Sequence, residues 1–190
     1  MTEQSLIKMC EFVSVSPNNF NKYFSNVAFL FLRYIQYLID DFQDTKNTYS
    51  FLYNFIKSRA PFFWVIVDKY SGDFAGFVFL DNFTGSREIL HSAEVTGCIE
   101  RKYWGQFSAK CADEFFNYCF SILNLNKIKA QIYPQNLYVR GILIKNGFSK
   151  EGLLKAETIR KGKLQDIEVY GLTRTIWNDK HNVKGKIYEN

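Results

Sequence analysis

Between Ala93 and Leu123 the sequence AEVTGCIERKYWGQFSAKCADEFFNYCFSIL reads as a strand, a short loop and a helix. A loop that ends on a helix N-terminus presents unpaired backbone N–H groups at the positive end of the helix dipole. Together these bind phosphate oxygens. Gly105 would let the backbone approach such a ligand closely. A glycine-containing strand-to-helix turn is also a common plain connection, so this feature does not by itself choose a ligand. The charge distribution bears on it: residues 1–95 hold 8 Lys/Arg against 10 Asp/Glu, whereas residues 96–190 hold 16 against 9. An anionic partner is therefore expected on the second half.

Other chemistries find little support. The chain has two His (His91, His181) and four Cys at 10, 98, 111 and 119, with no C-x-x-C pair, so no metal is expected. The cysteines read as reduced, buried thiols of a cytoplasmic protein. No run of Lys/Arg interleaved with aromatics marks a nucleic-acid surface. The N-terminal MTEQSLIKMC lacks a secretory pattern. The most apolar run, VAFLFLRYIQYLI, is too short to span a bilayer and carries Arg33 and Gln36. It is expected to be a buried helix.

The elements that must position the loop emerge from periodicity. Ser16-Pro17 reads as a helix start. Phe20, Tyr23, Phe24, Val27, Phe31, Tyr34, Ile35 and Leu38 come next at helical spacing. A second helix is expected from Tyr49 to Ser58 and cannot run past Pro61. Two strands flank the turn Tyr70-Ser71-Gly72-Asp73, and a third covers 91–99. A helix over 108–123 carries an apolar stripe of Ala112, Phe115, Phe116, Cys119, Phe120 and Leu123. A strand over 127–133, a helix over 137–145, a strand from Phe148, a basic turn RKGK (160–163) and a last strand complete the order. The pattern predicts an α/β fold, a mixed central sheet with helices on both faces. With 190 residues the chain is expected to form one domain over 1–190, helical over 1–60.

Several stretches together resemble the GNAT acyltransferase superfamily, in the branch of the ribosomal-protein N-terminal acetyltransferases. They are Ala93-Glu94-Val95, Tyr103-Trp104-Gly105, Ala109, Pro134, Asn136, Gly147-Phe148 and Glu151-Gly152. The resemblance covers roughly residues 62–174, the expected coenzyme A-binding core of a GNAT-like sheet. It implies acetyl-CoA as co-substrate, with the loop from Lys102 through Trp104, Gly105, Gln106 and Phe107 to Ser108 on the pyrophosphate. Cys98, Ile99 and Glu100 would pair with the pantetheine arm like an added strand. Asn136 would bond the arm from the next strand, and Lys145 could meet a phosphate. Glu94 would act as general base.

Three departures from the family pattern stand out. Phe107 replaces the second loop glycine, and Val139 replaces a small or hydroxyl residue. Leu143 replaces the tyrosine that protonates the leaving thiolate, so Tyr138 or Tyr133 would have to substitute. The resemblance implies transfer of an acetyl group to a primary amine, a protein N-terminus or a small amine, by direct attack. The departures leave a second expectation open, a degenerate GNAT domain that binds CoA or a partner without catalysis. The chain is expected to work as a monomer or homodimer, away from membranes.

Overall fold

In a computed structural model the chain is described over residues 9–15, 19–38, 48–86 and 89–187. Seven strands form one sheet: β1 (Cys10–Ser14), β2 (Phe63–Asp68), β3 (Phe74–Gly85), β4 (Leu90–Ile99), β5 (Lys127–Ile132), β6 (Ser149–Arg160) and β7 (Lys163–Thr173). The spatial order is β1-β2-β3-β4-β5-β7-β6. Every neighbouring pair is antiparallel except β4 and β5. Five helices complete the fold: α1 (Phe20–Leu38), α2 (Thr48–Arg59), α3 (Gln106–Ser121), α4 (Leu137–Lys145) and α5 (Arg174–Ile187).

The central strands are apolar on both faces because both are covered. Along β2, Phe63, Val65 and Val67 pack with Val27, Leu30 and Phe31 of α1 and with Leu52 and Ile56 of α2. The alternate residues Trp64 and Ile66 join Cys111, Phe115, Phe116, Cys119 and Phe120 of α3 on the opposite face. The period of two in a strand thus divides one apolar run between two cores. Aromatic residues dominate both, as in the Phe63–Phe77 and Phe63–Phe79 stacks at 5.5 and 5.7 Å.

The predicted elements are present with small shifts at their ends. α3 starts at Gln106, two residues earlier than the expected start at 108. α1 is half-covered, not buried: Phe29 is 64% exposed and Leu32 43%. The expected helix start at Ser16-Pro17 lies outside the described residues. Two elements have no counterpart in the sequence pattern. β1 corrects the expectation that residues 1–60 are helical: Cys10–Ser14 is a short edge strand, defined by its pairing with β2. α5 is largely polar and docks mainly through Trp177, whose ring lies 5.7 Å from Phe120 and 6.3 Å from Phe116. Arg174 fastens its start by donating to the Leu125 carbonyl. Among the described residues no helix is long and apolar enough to cross a membrane.

Candidate active site

The parallel pairing of β4 with β5 is brief. It joins Ser92, Ala93 and Glu94 to Lys127, Ile128 and Lys129. Both strands continue, β4 to Ile99 and β5 to Ile132, without pairing to each other. The separation opens a cavity of about 620 Å³ between them. Its walls include Glu94 to Ile99 of β4, Ala130 to Ile132 of β5, Ser108 and Cys111 of α3, and Asn136 and Val139 at the start of α4. Tyr34, Tyr37 and Leu38 of α1 also line it.

Glu94 sits where pairing stops. Its Oε2 accepts from Asn82 Nδ2 at 3.1 Å and from Gln131 Nε2 at 3.2 Å. Asn82 adopts φ +47°, next to a break in the β3–β4 register. Asn tolerates this left-handed conformation, and such bulges re-aim side chains. The carboxylate is thus held by two neutral amides on neighbouring strands. Neither His91 nor Arg101 is its partner among these bonds.

The loop after β4 forms a single 3-10 turn, Arg101–Tyr103, and then the N-cap of α3 at Gly105. Gly105 has φ +100° and open space where a Cβ would stand. An L side chain there would be strained by the backbone and not by crowding. The first turn of α3 aims the N–H groups of Gln106, Phe107 and Ser108 at this end of the cavity, as helix geometry requires.

Tyr138 covers the same place. Its hydroxyl accepts the Gly105 N–H at 2.9 Å and lies 2.5 Å from Ser108 Oγ. Ser108 Oγ donates to the Gly105 carbonyl at 3.0 Å. The hydroxyl protons therefore run from Tyr138 to Ser108 to Gly105 O. The Tyr138 ring stacks on Trp104 at 4.4 Å and 17°. The Trp104 indole N–H donates to the Ile99 carbonyl at 3.0 Å.

The remaining sequence candidates divide. Cys98 and Ile99 line the cavity. Burial, and then the nearby Glu100 carboxylate, pushes the Cys98 thiol up to about 12. The Glu100 N–H is bound to the Ala75 carbonyl at 2.8 Å. Asn136 lines the cavity and caps α4, its side chain accepting from the Val139 N–H at 3.3 Å. Phe107 does not line the cavity. It is half-buried, 4.7 Å from the Tyr103 ring, and packs on the core beneath α3. Lys102 is exposed, with Nζ 3.6 Å from the Asp73 carboxylate. Lys145 is exposed in the last turn of α4 and does not line the cavity. Leu143, at the position of the family's usual acid, is a buried wall residue. Tyr133 is buried too, its hydroxyl 3.4 Å from Thr158 Oγ1.

Sequence reasoning did not find Tyr34, Tyr37, Thr158, Asn82 or Gln131 at the site. Their contacts are long-range, and only Tyr34 carried any signal, as a member of the α1 stripe. Among the described residues no group of three His, Cys, Asp or Glu side chains could hold a metal ion.

A sheet that splits at one parallel pair, with a glycine-capped helix beside the split, defines an acyltransferase architecture. The chain belongs to the GNAT acetyltransferase family: the model of the acetyltransferase (GNAT) domain matches residues 20–149. The co-substrate of that family is acetyl-CoA. The chain is 32% identical over 123 residues to the uncharacterized N-acetyltransferase p20 of Bacillus licheniformis, covering 63% of this chain and 65% of that protein. It is 30% identical to the uncharacterized N-acetyltransferase YoaA of Bacillus subtilis (strain 168), over 43% of this chain and 47% of the relative. The fold matches the spermidine N-acetyltransferase of Vibrio cholerae, solved with CoA and spermine, with TM-score 0.71 and 20% identity over 89% of this chain and 98% of that one. It also matches the ribosomal-protein-S5-alanine acetyltransferase of Vibrio fischeri, with TM-score 0.68 and 20% identity over 90% and 96% of the two chains.

Proposed function

We propose that this chain transfers an acetyl group from acetyl-CoA to a primary amine by direct attack. The observation that carries the reading is the split between β4 and β5, with Glu94 at its closed end and the capped start of α3 at its open end. The residues present fit the co-substrate. The groove edges offer backbone groups for amides, and the first-turn N–H groups of α3 suit phosphate oxygens.

The N–H groups of Gln106, Phe107 and Ser108 hold the pyrophosphate, with Gly105 giving the backbone room. Cys98 and Ile99 offer a strand edge to the pantetheine arm, and the Asn136 amide nitrogen donates from the opposite side. The expected contribution of Glu100 is lost, because its N–H is bound to the Ala75 carbonyl and its carbonyl to the Tyr103 N–H. Trp104 flanks the groove, and Lys102 and Lys145 add positive charge outside it. When bound, acetyl-CoA supplies an acyl group activated as a thioester, whose thiol has a pKa of only about 8.5. Glu94 removes the proton of the attacking amine, directly or through one water. Its two amide donors orient the carboxylate. The proton of Tyr138 is directed to Ser108, and these contacts favour holding the loop over protonating the thiolate.

A second reading, a CoA-binding module without catalysis, draws on the apolar Leu143 and the occupied Tyr138 hydroxyl. Calorimetry with acetyl-CoA and a release assay for free CoA over a panel of primary amines separate the two. Binding with turnover supports transfer, binding without turnover supports the module, and no binding overturns both.

A further inference from the structure

The basic turn at the β6–β7 hairpin has no part in the chemistry above. Its geometry gives it one. β6 breaks register with β7 between Leu154 and Thr158, around Ala156 at φ +52°. Asp166 pins this bulge, accepting from the Ala156 N–H and from Lys155 Nζ, both at 2.9 Å. Those two bonds hold its carboxylate below the usual range. A bulge bends its own strand and re-aims the side chains beyond it. Here the bent end brings Thr158 Oγ1 to 3.4 Å from the Tyr133 hydroxyl. It also lays the Arg160 guanidinium over the Tyr37 ring at 4.5 Å and the Tyr133 ring at 5.3 Å.

Tyr37, Tyr133 and Thr158 are all cavity walls. Arg160 is half-buried on their rim. It forms no ion pair with a carboxylate among the described residues, and neither do its exposed neighbours Lys161 and Lys163. A guanidinium oriented by two aromatic faces keeps its N–H fork free for a bidentate anion. Such a rim repels a second ammonium on the acceptor and attracts a carboxylate. We infer that Arg160 selects the acceptor: the amine this site takes also carries a carboxylate. This rests on the acetyl-transfer reading and names its substrate class.

The test uses a series of ω-amino acids of increasing length, the carboxamide of each, and spermidine. Turnover with acetyl-CoA is measured for the wild type, Arg160→Ala and Arg160→Glu. Calorimetric binding of the same amines to the CoA-loaded protein is measured in parallel. We expect at least one amino acid to exceed its carboxamide by about tenfold in kcat/KM and in affinity, as for a hydrogen-bonded charged pair. Arg160→Ala should erase that ratio mainly through KM, and Arg160→Glu should invert it toward spermidine. Equal use of acid and amide, or a wild-type preference for spermidine, overturns the inference and leaves acetyl transfer intact. Charge-selective, Arg160-dependent binding without any turnover overturns acetyl transfer and, with it, the acceptor role of Arg160. Absence of both binding and turnover overturns the two together.

Discussion

The Tyr138 hydroxyl accepts the backbone N–H of Gly105 at 2.9 Å, so α4 holds the loop that precedes α3. A side chain from one helix thereby occupies the mouth of another helix's N-terminus. Trp104, stacked on the same ring, ties the arrangement to the Ile99 carbonyl of β4. Tyr138 joins three elements around the open end of the groove.

Tyr138→Phe removes the hydroxyl and keeps the stack. The Gly105 N–H and Ser108 Oγ lose a partner, and stability should fall by about 1–2 kcal/mol in denaturant titration. Turnover should stay within a few-fold of wild type. A drop of about 10²–10⁴ in kcat at unchanged acetyl-CoA affinity would instead identify Tyr138 as the proton donor to the thiolate.

Glu94→Gln preserves shape and removes the base. Turnover should fall by about 10²–10⁴ while acetyl-CoA affinity is unchanged, as for a lost general base. Steady-state kinetics paired with calorimetry reads both quantities. Wild-type turnover in this variant would reduce Glu94 to a link between Asn82 and Gln131.

Phe107→Ala tests where the loop side chain points. Full truncation of a buried Phe costs about 3–5 kcal/mol. The Phe107 ring is half-buried against Tyr103 and the α3 core, so a loss of about 2 kcal/mol is expected. Acetyl-CoA affinity should not rise. Tighter binding in a stable variant would mean that the ring obstructs the phosphate site.

Glu168 links the groove to the far strands. Its carboxylate accepts from Lys150 Nζ at 2.8 Å, from Arg140 at 2.8 and 3.1 Å, and from the Tyr170 hydroxyl at 3.1 Å. Arg140 also donates to the Pro134 carbonyl, which fixes the approach to α4 and its cap Asn136. Burial alone would raise the Glu168 pKa. The bonds from Lys150, Arg140 and Tyr170 outweigh it and leave the pKa lowered. A lowered folded pKa stabilises the fold at pH above the unfolded value, about 4.3 for Glu. That contribution is lost as pH falls through the folded value. Glu168→Gln should cost about 2–4 kcal/mol at neutral pH, because both cations lose a buried partner yet stay partly hydrated. Stability measured against pH should then show a smaller acid-induced decline in the variant than in the wild type.

Local patterns in the sequence determined most elements of this protein. The β2–β3 hairpin is legible because Gly72 lies between two apolar runs. The loop from Lys102 to Ser108 is legible because strand, glycine and helix succeed one another directly. Each of these signals sits within a few residues of the element it specifies. Tertiary structure alone decided the rest. β1 exists because its edge pairs with β2, and α5 because Trp177 finds Phe116 and Phe120; neither segment carries a strong period of its own. The partners of Glu94 lie 12 and 37 positions away, on β3 and β5. Tyr138 meets Gly105 across 33 positions, and Arg160 meets Tyr37 only because a bulge bends β6. Hydrogen bonds and ring contacts act over a few ångströms of space. Chain folding, and not sequence proximity, sets which residues fall within that range.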